Sequence, residues 1–194
     1  NEAHAQQFHA LVARRVAGEP IAYIVGEREF YGHTFKVTSD VLIPRPETEL
    51  LVELALEREP RRMLDLGTGS GCVAISIALA LKSTQVIACD RSSAALAVAR
   101  DNAKTLNAMD VAFIESDWYH ALRHQTFDAI VSNPPYVAAG DAHLTQSDLR
   151  YEPQMALVGA GGVVFATGAG AGGADAGESA AAGWARPFVA NARS

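Results

Sequence analysis

The sequence predicts an α/β fold built on a doubly wound, Rossmann-like sheet, preceded by a helix and a β-hairpin and incomplete at its C-terminal end. Three observations predict it. Between residues 62 and 132 short apolar runs alternate with helical patterns, as in consecutive βαβ units. The first of these runs, RMLDL, opens directly into a glycine loop, GTGSG, that leads into the apolar helix CVAISIALALK. At 194 residues, with 49% hydrophobic and 20% charged residues, the chain can form one main domain with a substantial core.

The elements follow in chain order. HAQQFHALVARRVAG sets Phe8, Leu11, Val12 and Val16 at helical spacing and stops at Gly18 with Pro20 beyond, so residues 1–19 predict an amphipathic helix. It opens without a cap sequence or an initiator Met, and reads as the last helix of an N-terminal helical domain whose remainder is absent. IAYIVGEREFYGHTFKV predicts two short strands with bends at Gly26 and Gly32, a hairpin linker over 20–40. The main domain, 41–157, opens with LIPRPETELLVELALERE. There Pro44 and Pro46 hold the entry extended, Thr48 or Glu47 caps, and Leu50, Leu51, Leu54 and Ala55 form one helix face. After the first strand, loop and helix come strand QVIACD, helix SSAALAVARDNAKTL capped by Ser92 or Ser93, strand VAFIES and strand FDAIVSN. Residues 158–194 form a tail that is more than half Ala and Gly, with one strand-like piece, GVVFA. It reads either as a disordered low-complexity segment or as translation of a shifted frame in a GC-rich gene.

The chemistry collects where the strands end. Gly67, Gly69 and Gly71 let the backbone turn tightly and approach a ligand. Their spacing departs from the GxGxxG dinucleotide fingerprint, and Asp65 just before them suits a cationic ligand better than phosphates. Asp90 ends the second strand, where its carboxylate can accept from a ribose diol or cap the following helix. Asp117 and Trp118 end the third strand, an acid to accept from an exocyclic amine and an aromatic to cover an adenine face or fill the core. SNPPY ends the fourth. Pro134 and Pro135 remove two N–H donors and stiffen the backbone, and Asn133 adds an acceptor oxygen beside their carbonyls. Such a group of acceptors suits a planar NH2 whose lone pair must be aimed, with Tyr136 stacking on it.

Together these strings resemble class I S-adenosylmethionine-dependent methyltransferases. IPRPETELLVE, LDLGTGSG, CD, SDW, NPPY and the link GEPIAYIVGEREFYG are similar to the HemK/PrmC family, over about residues 17–157. That family methylates the side-chain amide of the glutamine in the Gly-Gly-Gln motif of peptide chain release factors. The resemblance implies S-adenosylmethionine as cofactor and release factors as partners. It implies that Gly67, Thr68, Gly69, Ser70 and Gly71 cradle the methionine part, that Asp90 holds the ribose, and that Trp118 flanks the adenine. Asn133, Pro134, Pro135 and Tyr136 would bind the glutamine amide. The family's final strands, which complete a seven-stranded sheet, have no counterpart in the sequence after Leu157. The fourth strand is therefore expected to be a bare apolar edge, with weak or absent activity as the consequence.

Several classes are disfavoured. A net charge of −6 argues against a phosphate backbone as partner, and so against an enzyme acting on base amines of nucleic acid. A sister enzyme acting on a ribosomal-protein glutamine and an inactive truncated product are the nearer rivals. Cys72 and Cys89, flanked by apolar residues, read as core fillers of a cytoplasmic protein. Cys72 near a helix start admits a lowered thiol pKa, with no base nearby in sequence to use it. The six histidines lack metal-ligand spacing, no apolar run spans a bilayer, and no signal pattern opens the chain.

Overall fold

The computed structural model describes residues 2–123, 125–135, 147–158, 164–171 and 188–189. Six strands among them form one sheet in the order β5-β4-β3-β6-β7-β8. Its centre is parallel: β3 (Arg62–Leu66) lies between β4 (Gln85–Asp90) and β6 (Gln125–Ser132), and β5 (Ala112–Glu115) flanks β4. The chain runs outward from β3 to β5 and then returns to the other side of β3. The order therefore reverses between β3 and β6, a switch point of the kind whose crevice, at the carboxyl ends of the strands, binds ligands in open α/β sheets.

Two-residue alternation sends side chains to both faces. Met63, Val86, Ala88, Ala129 and Val131 join one cluster with Leu51, Val52 and Ala55 of α3 (Glu49–Arg58) and Val73, Ala74, Ile75 and Ile77 of α4 (Cys72–Ala80). Leu64, Ile87, Cys89 and Ile130 join the other, against Leu122 and Tyr119. The strands are apolar on both sides, as buried parallel strands must be. Among the described residues helices α3, α4 and α5 (Ser93–Thr105) cover one face, where the sequence pattern leads one to expect helices on both.

The segment before the sheet corrects one expectation. Ile21–Val25 is a helix, α2, not a strand. Pro20 sits at its N-terminal boundary, and Gly26 ends it in the left-handed conformation, φ +85°, with its N–H bonded to the Ala22 carbonyl. Tyr23 donates its hydroxyl to the Val41 carbonyl at 2.6 Å, a tertiary tie that local β propensity does not register. The hairpin is shorter than the pattern suggests: β1 (Glu27–Phe30) pairs antiparallel with β2 (His33–Lys36). Upstream, α1 (Glu2–Val16) leaves its apolar stripe exposed, Phe8 and Val16 most of all.

A second correction concerns the far edge. β7 (Val164–Ala171) pairs antiparallel with β6 from Gln125 to Ser132, and β8 (Phe188–Val189) pairs with β7. Over residues 129–132, β6 is thus paired on both sides, and the bare edge expected from the sequence is absent. The sheet still has one strand fewer, among the described residues, than the seven implied by the resemblance.

Candidate functional site

The glycine loop leaves β3 and is anchored before it turns. The N–H groups of Gly67 and Thr68 both donate to the Cys89 carbonyl, at 2.9 and 3.0 Å, which pins the loop to the end of β4. Gly67 and Gly69 have φ of +73° and +55°, and a side chain added at either would project into open space. Gly71 differs: at φ +81°, an added Cβ would lie 2.9 Å from Ile75 Cδ1 and 3.1 Å from Ala99 Cβ, so its glycine serves the packing of α4 on α5. Thr68 and Ser70 are buried. What they could offer a ligand is main chain.

Asp90 connects the loop to the next strand. One carboxylate oxygen accepts from the Gly69 N–H at 2.9 Å and the other from the Ser92 N–H at 3.0 Å. A carboxylate has about four lone-pair sites, so each oxygen keeps capacity for a diol. The helix-cap alternative for Asp90 falls away, because Ser92 caps α5 by accepting from the Ala95 N–H at 3.1 Å. On the same rim the Ser116 N–H donates to the Asp90 carbonyl, which brings Asp117 and Trp118 beside it. Both are exposed, and Trp118 is held at φ +52°, a strained conformation for a bulky aromatic. The core alternative for Trp118 is excluded by its 53% exposure.

Asp65 lies beneath the loop instead of facing the crevice. It is 2% exposed and accepts the Thr68 hydroxyl at 2.7 Å. Burial raises its carboxyl from 3.8 to about 6, opposed by the Thr68 hydroxyl and the Ala74 N–H and reinforced by Asp90. An acid with a raised folded pKa lends most stability below its unfolded value of 3.8, and that contribution is lost as pH rises through about 6. Asp65→Asn removes the ionisation, so its stability relative to wild type should be more favourable at neutral pH than at pH 4 by on the order of 2 kcal/mol, on top of a pH-independent cost for its buried NH2. Chemical denaturation of variant and wild type at both pH values measures this, and an equal difference at the two would contradict it.

The SNPPY segment meets this loop at the switch point. Ser132 Oγ donates to the Leu66 carbonyl at 2.8 Å, tying the end of β6 to the end of β3. Asn133 follows, half-buried, with its Nδ2 donating to Thr48 Oγ1 at 3.2 Å, which turns its carbonyl oxygen to the opposite side. Pro134 is buried and Pro135 half-buried; Tyr136 lies outside the described residues. The structure therefore brings Gly67 to Gly71, Asp90, Asp117, Trp118 and Asn133 to Pro135 to one rim, the carboxyl ends of β3 to β6.

Several residues that support the rim are not singled out by local sequence. Asn102, inside α5 and 2% exposed, donates to the Ser70 carbonyl at 2.9 Å and the Lys36 carbonyl at 3.0 Å, and accepts from the Lys36 N–H at 2.8 Å. It joins the hairpin to the glycine loop. A polar Asn in the middle of an amphipathic helix was the available signal. Glu152, 4% exposed, accepts from the Ile43 N–H at 3.1 Å and pairs with Arg45, clasping the IPRPETE entry. Glu49 accepts from the Tyr31 N–H at 3.0 Å at the hairpin turn. Neither thiol is reactive: burial pushes Cys72 and Cys89 up to about 12, outweighing the helix start at Cys72. Among the described residues no group of three or more His, Cys, Asp or Glu is placed to hold a metal ion.

Comparison with known proteins adds an independent line. The Methyltransferase small domain family model matches residues 46–164, and the PrmC N-terminal domain model matches residues 1–26. A release factor glutamine methyltransferase of Bordetella pertussis is 56% identical over 160 residues, covering 80% of this chain and 59% of that protein. One of Xylella fastidiosa is 51% identical over 160 residues, covering 80% and 58%. The chain thus spans a little under three-fifths of the length of these curated relatives. Among solved structures, the hMettl16 catalytic domain in complex with MAT2A 3'UTR hairpin 6 has a TM-score of 0.51 at 18% identity, covering 73% of this chain and 56% of that one, a likeness of fold alone.

Proposed function

Since the chain belongs to the methyltransferase small domain family, we propose that it methylates the side-chain amide nitrogen of the glutamine in the Gly-Gly-Gln motif of peptide chain release factors, with S-adenosylmethionine as donor. One observation carries the reading: the Asn133 carboxamide, oriented by Thr48, stands at the switch point next to a glycine loop that is open above Gly67 and Gly69. The relatives' names agree with it.

The residues present fit the cofactor. The two open glycines admit a ligand close to the backbone, Asp90 has lone pairs left for a ribose diol, and Trp118 offers a bare ring on the same rim. Asp117 is the acid proposed for the exocyclic amine. When bound, the cofactor supplies a methyl group on a positively charged sulfur. This chain supplies position. A carboxamide nitrogen is a poor nucleophile because its lone pair is delocalised. The Asn133 oxygen and the main-chain carbonyl of Pro134 would each accept one of its hydrogens, with Pro135 stiffening the loop and Tyr136 covering the flat group. Such alignment is worth on the order of 7 kcal/mol relative to free encounter.

The reading brings release factors as partners and the cytoplasm as compartment. Among the described residues no helix is long and apolar enough to cross a membrane. The test is methyl transfer from labelled S-adenosylmethionine to a purified release factor, beside the same factor with its motif glutamine changed to Ala. Label on the first and none on the second is expected. Equal label on both, or label on a ribosomal protein with none on the release factor, would overturn it.

A further inference from the structure

We propose that Thr48, in the PETE turn 85 residues before Asn133, is a positioning residue that anchors the Asn133 carboxamide in the pose that presents its oxygen to the substrate. The inference rests on the methyl-transfer reading above and deepens it.

Three observations lead to it. First, Thr48 stands where a Thr ordinarily caps a helix, at the entry to α3, yet it makes no side-chain cap bond and its backbone is helical, φ −72° and ψ −18°. The cap expected from sequence, Thr48 or Glu47, is thus not made by Thr48. Its hydroxyl instead receives the Asn133 Nδ2–H at 3.2 Å. Second, this hydroxyl is in a water-poor place: Thr48 is 5% exposed, so the bond does not compete with bulk solvent. Third, the turn that carries it is fixed independently. The Thr48 N–H donates to the Arg45 carbonyl at 3.0 Å, Pro46 sets the turn's first dihedral, and Glu152 holds both the Ile43 N–H and the Arg45 side chain.

The consequence is chemical. An Asn side chain turns about two bonds, and a carboxamide without a partner swings among several poses at little steric cost. The proposed reaction needs the oxygen outward, because a substrate NH2 has hydrogens to give and cannot be held by a second NH2. With its NH2 bound to Thr48, Asn133 presents the oxygen. Without that hydroxyl the carboxamide loses its anchor, and only a fraction of molecules presents the oxygen in this pose.

Thr48→Val keeps the shape and removes the hydroxyl; Thr48→Ser keeps the hydroxyl and removes the methyl. On a purified release factor, Thr48→Val should lower kcat about five- to tenfold, while KM and the affinity for S-adenosylhomocysteine stay within about twofold, and Thr48→Ser should stay within about twofold of wild type. Unchanged kcat in Thr48→Val, or equal loss in both variants, overturns the proposal. A second readout needs no turnover. In a 15N-labelled chain the Asn133 side-chain NH2 signals, assigned by their loss in Asn133→Asp, should be protected from solvent exchange in wild type and Thr48→Ser and unprotected in Thr48→Val. Protection that survives in Thr48→Val also overturns it. If wild type transfers no methyl but shows this pattern, the positioning role stands and the substrate reading fails.

Discussion

Asn133→Ala is expected to lower methyl transfer to a release factor at least about a hundredfold, with the affinity for S-adenosylhomocysteine reduced no more than about threefold. Asn133 follows the last residue of β6 directly, and its neighbour Ser132 is bonded to the end of β3, so truncating the side chain removes an acceptor without releasing the strand ends. The carboxamide is half-buried at the crevice, and its loss leaves the Thr48 hydroxyl without its partner at a 5% exposed position. That adds a small stability cost, about 1 kcal/mol. Rate assays under saturating cofactor, with calorimetry for the product, separate the two effects. A variant that methylates at the wild-type rate would remove Asn133 from the site.

Asp90→Ala has the larger effect on binding. The wild-type carboxylate bonds two main-chain N–H groups, one in the glycine loop and one before α5, so the substitution untethers Gly69 from β4 and removes the proposed ribose acceptor at once. Charge-assisted bonds of this kind are worth about 1.5–3 kcal/mol each, so affinity for S-adenosylhomocysteine should fall at least about a hundredfold and stability by on the order of 2 kcal/mol. Asp90→Asn, which keeps one acceptor oxygen, should lie between. Retained affinity in Asp90→Ala at undiminished stability would show that the carboxylate serves neither purpose.

What the sequence makes legible follows from how local each cause is. The alternation of RMLDL, QVIACD, VAFIES and FDAIVSN with helical patterns is local, and the parallel centre β5-β4-β3-β6 follows it. The loop residues Gly67 and Gly69 and the strand-end residues Asp90 and Trp118 are marked by type and by place after a strand. The helix at Ile21–Val25 was hidden by its β-branched, aromatic composition, although Pro20 and Gly26 bracket it as helix boundaries. Thr48 was misread because a Thr before an apolar helical run carries a cap signal, and only the fold brings Asn133 to its hydroxyl. Glu152 and Asn102 act across 109 and 66 residues of chain, a separation that no window of sequence contains. The pairing of β7 with β6 was obscured in a different way, since the run of Ala and Gly in Val164–Ala171 has weak β propensity and owes its place to the free edge beside it.

The most direct test of the central claim is a crystal structure of the chain with S-adenosylhomocysteine. The ribose hydroxyls are expected on Asp90, the adenine against Trp118, and the sulfur facing the Asn133 oxygen across a gap with room for a methyl group and, about 3–3.5 Å beyond its carbon, a carboxamide nitrogen. A ligand bound with its sulfur turned away from Asn133, or an Asn133 oxygen occupied by one of the protein's own N–H groups, would contradict it.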